Sequence, residues 1–98
     1  MDFPSADPGT IDNYHAHIYY DPATTRGAAA ELREIIAEKY PDMRVGGWHD
    51  VKVGPHLCAM YQVVFATDRF AEFVPWLAMN RRGLNILVHP SAEISYND

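Results

Sequence analysis

The chain has 98 residues, 48% of them apolar and 21% charged, with a formal net charge of −5. That is enough for one small hydrophobic core, and too apolar for a disordered tail. The acidic balance argues against nucleic acid or an anionic membrane surface as partner, since both select clustered Lys and Arg and the only adjacent basic pair is Arg81-Arg82.

Cys58 is the single cysteine, which rules out an internal disulfide and fits a reducing, cytoplasmic setting. Placed mid-strand, it reads as a buried, inert thiol. No apolar run approaches the ~20 residues needed to span a bilayer. The first 13 residues lack the basic and apolar regions of a signal peptide, and their Pro, Gly, Asp and Ser predict a loose arm ahead of a single domain over 14–98.

Residues 14–20, "YHAHIYY", are aromatic and β-branched before a break at Asp21-Pro22, and read as a first strand. In "ATTRGAAAELREIIAEKYP", Ala28, Leu32, Ile35, Ile36 and Tyr40 follow helical spacing, with Thr24 or Thr25 as N-cap and Pro41 as stop. A weaker strand over 43–51 is interrupted by Gly46-Gly47, which suit a bulge or an edge. After the turn signal Val53-Gly54-Pro55, "HLCAMYQVVF" (56–65) is the strongest strand pattern in the chain. Asp68 offers a cap to a second helix carrying Phe70, Phe73, Val74 and Leu77, and Pro75 predicts a kink or a late start. Asn80-Arg81-Arg82-Gly83 ends it with basic residues at the negative end of the helix dipole and a glycine able to take a left-handed conformation. "LNILVH", 84–89, is the last strand, closed by Pro90.

The order β-α-β-β-α-β predicts a ferredoxin-like α+β fold, a four-stranded antiparallel sheet in 4-1-3-2 order with both helices on one face. The other face stays open, and a homodimer through it is expected. Side chains alternate across a strand, so parity assigns the faces. Ala16 and Ile18 form one set of the first strand, and Leu57, Ala59, Tyr61, Val63 and Phe65 one set of the third. Leu84, Ile86 and Val88 do the same in the last. If these pack under the helices, His15, His17, His56 and His89 share the open face, with Tyr19 and Gln62 beside them. Several imidazoles on one surface suit a transition metal. His56 begins its strand near the end opposite to His15 and His89. His49, beside Asp50, reads as a surface residue. Trp48 and Trp76 could stack on an aromatic ligand, with packing the simpler role for Trp76.

"YHAHIYYDP", "VGPHLCAMYQVVF" and "FVPWLAMNRRGLNILVHP" resemble, in order and spacing, the motifs of the DOPA 4,5-dioxygenase family. The resemblance runs from about Tyr14 to Pro90. It implies a non-haem Fe(II) enzyme that cleaves a small, DOPA-like catechol in extradiol fashion, with O2 as co-substrate. Carried over, it implies His17, His56 and His89 as metal ligands and His15 as acid/base or substrate-hydroxyl partner; Tyr19 and Gln62, on the same face by parity, could orient the substrate through hydrogen bonds. Family members carry a His-rich stretch of the form D-H-x-x-H-A-x-W after L-V-H-P. This sequence reads "SAEISYND" there, which sets a degenerate relative beside the active enzyme as an expectation. A carboxylate ligand is not evident in the motifs; Asp21, Asp50 and Glu93 are candidates by proximity, and a three-histidine site is the alternative. The rival function is a non-catalytic ferredoxin-like dimer binding a metal or an aromatic ligand; a third is a structural homodimer whose histidines line the interface.

Overall fold

Alternation of apolar side chains from Ala16 to Tyr20 gives the chain its longest strand, β1 (Ile11–Tyr20). In the computed structural model, which describes residues 5–50 and 58–92, helix α1 (Arg26–Lys39), strands β2 (Arg44–Val45) and β3 (Ala59–Ala66), helix α2 (Phe70–Asn80) and strand β4 (Asn85–Ala92) follow. The strands form one antiparallel sheet in the order β2-β3-β1-β4, so the ferredoxin-like topology is as predicted. β1 is interior, hydrogen-bonded to β3 on one side and β4 on the other.

Ala16, Ile18 and Tyr20 of β1 and Ala59, Tyr61, Val63 and Phe65 of β3 pack against Ala29, Leu32 and Ile36 of α1 and Phe73 and Leu77 of α2. The parity assignment therefore holds for both central strands. The buried stripe of α1 is Ala29, Leu32 and Ile36, continued by the buried C-cap Tyr40; Ala28 and Ile35 sit half-buried at its margin. Tyr61 keeps its buried hydroxyl satisfied by donating to the Ala29 carbonyl at 2.9 Å. Among the described residues no helix is long and apolar enough to cross a membrane.

Several boundaries differ from those expected. β1 starts at Ile11, inside the span read as an arm, and Asp7 caps a 3-10 turn, Pro8–Thr10, ahead of it. Thr25 is the N-cap of α1, but its hydroxyl accepts from the Asp21 N–H at 2.7 Å and so braces the preceding turn. β2 is two residues long. The pairing Val45↔Val63 is followed by a bridge His49↔Met60, one residue out of the original register, so Gly46-Gly47 mark a bulge as predicted. A Cβ on Gly46 would meet the Gln62 carbonyl oxygen at 3.3 Å, which explains a glycine there. Asp68 does not cap α2: a 3-10 turn, Thr67–Arg69, leads into the helix, which has no side-chain cap and runs on through Pro75. β4 continues through Pro90 to Ala92, because it is an edge strand and proline is tolerated where no ladder donor is required.

Candidate metal centre

In the β1–β4 ladder His15 lies directly opposite His89, and His17 is the next residue on the same face of β1. Three imidazoles therefore meet on the open face by register alone. The ring centroids are 5.2 Å apart for His15–His89, 4.9 Å for His17–His89 and 6.5 Å for His15–His17. The Nε2 atoms of His17 and His89 are 2.8 Å apart, a hydrogen bond in which one ring donates and the other accepts. His17 is buried, although it faces away from the core, and His15 and His89 are half-buried.

One nitrogen from each ring lies within 4.8 Å of the others. Imidazoles sharing one ion at about 2.0–2.1 Å bring their donor atoms to roughly 3–4 Å, close to the spread found here. Neutral imidazole suits iron, zinc, copper or nickel, and the chemistry of this donor set fits such an ion. No carboxylate belongs to the cluster among the described residues. His56, expected as a ligand, and Glu93 lie outside the described residues.

Tyr19 extends the row along β1, its ring parallel to that of His17 at 6.3 Å. Burial, with a smaller contribution from the Cys58 thiol, raises its hydroxyl above the ordinary value of 10.0, so it remains a donor at neutral pH. Gln62 of β3 stands opposite His17 in the β1–β3 ladder, half-buried. The structure thus brings His15, His17, Tyr19, Gln62 and His89 onto one face.

Beyond Tyr19 the strand ends lead into a cleft of about 710 Å³, lined by Tyr19, Tyr20, Asp21, Asp50, Cys58 and Leu84 among others. Asp50 is committed there: it accepts from the Tyr20 hydroxyl at 2.6 Å and from Arg26 Nε at 2.8 Å. Both bonds lower its pKa, that from Arg26 more. Asp50 is accordingly a brace between β1, α1 and the chain after β2, and is not part of the imidazole cluster.

Two other expectations change. Cys58 is exposed, because β3 begins one residue later at Ala59 and leaves the thiol on a bend at the cleft. Trp48 is not presented to a ligand: its ring packs edge-on against Tyr20 and Tyr61, and the Arg26 guanidinium covers it at 4.0 Å. Trp76 packs against Tyr40 and Phe73, the simpler of its two roles. His49 is exposed, as expected.

The model of the Dopa 4,5-dioxygenase family matches residues 14–98. The chain is 36% identical over 88 residues to an uncharacterized 21.2 kDa protein of Botryotinia fuckeliana, covering 87% of this chain and 48% of that protein. It is 33% identical over 90 residues to a DOPA 4,5-dioxygenase of Amanita muscaria, covering 82% of this chain and 38% of the relative. The chain thus spans less than half the length of these two curated relatives. A crystal structure of a provisionally assigned dioxygenase from Nostoc punctiforme superposes with a TM-score of 0.85 at 43% identity, covering 91% of this chain and 76% of the other. Sequence motif, fold and family model agree: the chain belongs to the Dopa 4,5-dioxygenase family.

Proposed function

We propose that this chain carries the metal centre of a non-haem iron dioxygenase that opens a small, DOPA-like catechol ring in extradiol fashion, with O2 as co-substrate. The observation that carries this reading is the trio His15, His17 and His89 on the open face of a chain in a dioxygenase family. We assign all three as the ligands, which moves His15 from the proton-transfer role implied by the resemblance. The reason is register: His15 is the direct cross-strand partner of His89.

When bound, Fe(II) supplies Lewis-acid and redox chemistry toward the diol and O2. The protein's part is positional. Three imidazoles would leave part of the ion's coordination open to small molecules. The His17–His89 hydrogen bond occupies two nitrogens that would hold the ion, so the ring that donates in this pair would have to carry its proton on Nδ1 instead, the other tautomer of neutral imidazole. The Tyr19 hydroxyl, kept protonated, donates to a substrate oxygen, while the Gln62 amide offers both a donor and an acceptor. Both residues sit on strands, which fixes their direction more closely than a loop would.

Anaerobic loading with Fe(II), followed by a catechol and air, is expected to give a yellow ring-opened product absorbing in the visible. Iron bound without product from any of several catechols would sink the dioxygenase reading and leave a metal-binding module. Metal analysis tests the ligands. His15→Ala, His17→Ala and His89→Ala are each expected to lose iron, whereas His49→Ala retains it. Retention by His15→Ala together with loss by His56→Ala would restore the set implied by the resemblance.

A further inference from the structure

The two edges of the sheet are built differently. β2 offers only Arg44–Val45, a charged side chain and a bulge, and short, charged, bulged edges resist pairing with another strand. β4 offers eight residues, Asn85–Ala92, and none of them is Asp, Glu, Lys or Arg. Beside it an apolar groove of about 340 Å³ runs between α2 and β4, lined by Val74, Ala78, Ile86 and Val88 among others. On the opposite face of β4 the Leu87 side chain is 49% exposed.

We propose that β4 pairs with β4 of a second copy of this chain, antiparallel, about a two-fold axis at Leu87. Pro90 sets the register. It lies opposite Tyr14 in the β1–β4 ladder, and a residue without an N–H fits there when its nitrogen faces away from β1. Alternation then turns the backbone groups of Ile86 and Val88 outward as well. With the axis at Leu87, Ile86 of each copy exchanges both hydrogen bonds with Val88 of the other. Pro90 falls opposite Leu84, past the paired stretch, so its missing donor costs nothing. Leu87 meets its own copy in a close pair without hydrogen bonds, which covers its exposed surface.

A second copy fits because this register is self-complementary. The result is a continuous eight-stranded sheet whose open face, with His15, His17 and His89, stays accessible. A dimer through that face would cover them. The same register sets the partner's Asn85 beside His89, so each metal centre is flanked by a polar side chain of the other copy.

Sedimentation equilibrium at micromolar concentration is expected to give twice the 11.1 kDa of the chain. In a Cys58→Ser background, Leu87→Cys is expected to form an interchain disulfide on mild oxidation, since the paired Cα atoms lie within about 4.5–5.5 Å. Asn85→Cys, which faces residue 89 of the partner, is expected not to. Leu87→Asp sets like charges opposite each other and is expected to give a folded monomer by circular dichroism and sedimentation. A monomer for the unmodified chain, a dimer that Leu87→Asp leaves intact, or cross-linking by Asn85→Cys and not Leu87→Cys each overturns the proposal. These readouts require neither iron nor turnover, so the dimer and the dioxygenase reading fail separately.

Discussion

Tyr20 and Asp50 show how one hydrogen bond sets two limits on stability. Burial first, and then the bond to Asp50, pushes the Tyr20 hydroxyl up to about 12 from an ordinary 10.0. A raised folded value means that the contribution is complete below pH 10.0 and is lost as the pH climbs toward about 12. Asp50 behaves in the opposite sense. Hydrogen bonds from Arg26 and then Tyr20 hold it below its ordinary 3.8, so its contribution is present above that value and is lost as the pH falls through the depressed one. Tyr20→Phe is expected to cost about 1.5 kcal/mol at neutral pH and to flatten the alkaline loss, as read by urea unfolding at neutral pH and near pH 11. An unchanged alkaline limb would remove Tyr20 as its cause. Of this network the sequence shows nothing, because Tyr20 and Asp50 are 30 residues apart and no spacing rule links them. The histidines were legible for the opposite reason: strand alternation alone puts His15, His17 and His89 on one face. The exposure of Cys58 is not legible in its segment because it depends on where β3 begins, nor is the covering of Trp48, because the Arg26 that covers it comes from α1.

At the scale of elements, helix ends and strand edges carried the surprises. α2 ends at Asn80 with Arg81 as its C-cap, and the next residue, Arg82, takes a left-handed φ of +53° ahead of Gly83 at +74°. The sequence pointed to Gly83 as the left-handed residue, and it is one. It gave no sign that the position after the C-cap, where glycine is preferred, would be filled by arginine. A left-handed non-glycine residue costs roughly 1–2 kcal/mol, partly offset here by the greater unfolded-state entropy of a glycine replacement. The Arg82–Glu31 contact at 3.7 Å lies at the surface and offsets little. Arg82→Gly is therefore expected to stabilise the chain by about 0.5 kcal/mol, a rise of a few degrees in Tm by calorimetry. A fall in Tm would mean that the arginine makes a larger contribution than its geometry implies. Pro90 reads as a stop in sequence because proline removes a ladder donor. Whether it does so depends on which neighbour the strand has, and edge placement is a property of the sheet that the segment alone does not encode.

At the scale of the whole molecule, the order of elements was enough to give the topology, since β-α-β-β-α-β with short connections admits few arrangements. The placement of β1 between β3 and β4 has a consequence for how the site can come apart. The backbone around His15 and His17 is hydrogen-bonded within a ladder on both sides, so no single loop or edge can open and release it. Amide hydrogen exchange at Ala16, His17 and Ile18 is expected to require global unfolding and to be the slowest in the chain, with and without metal. Faster exchange there than at Tyr61 and Val63 would contradict this. An ion held by these imidazoles would then be able to leave without unpairing the strand that carries two of them. What fails last on heating is the strand that holds the imidazoles.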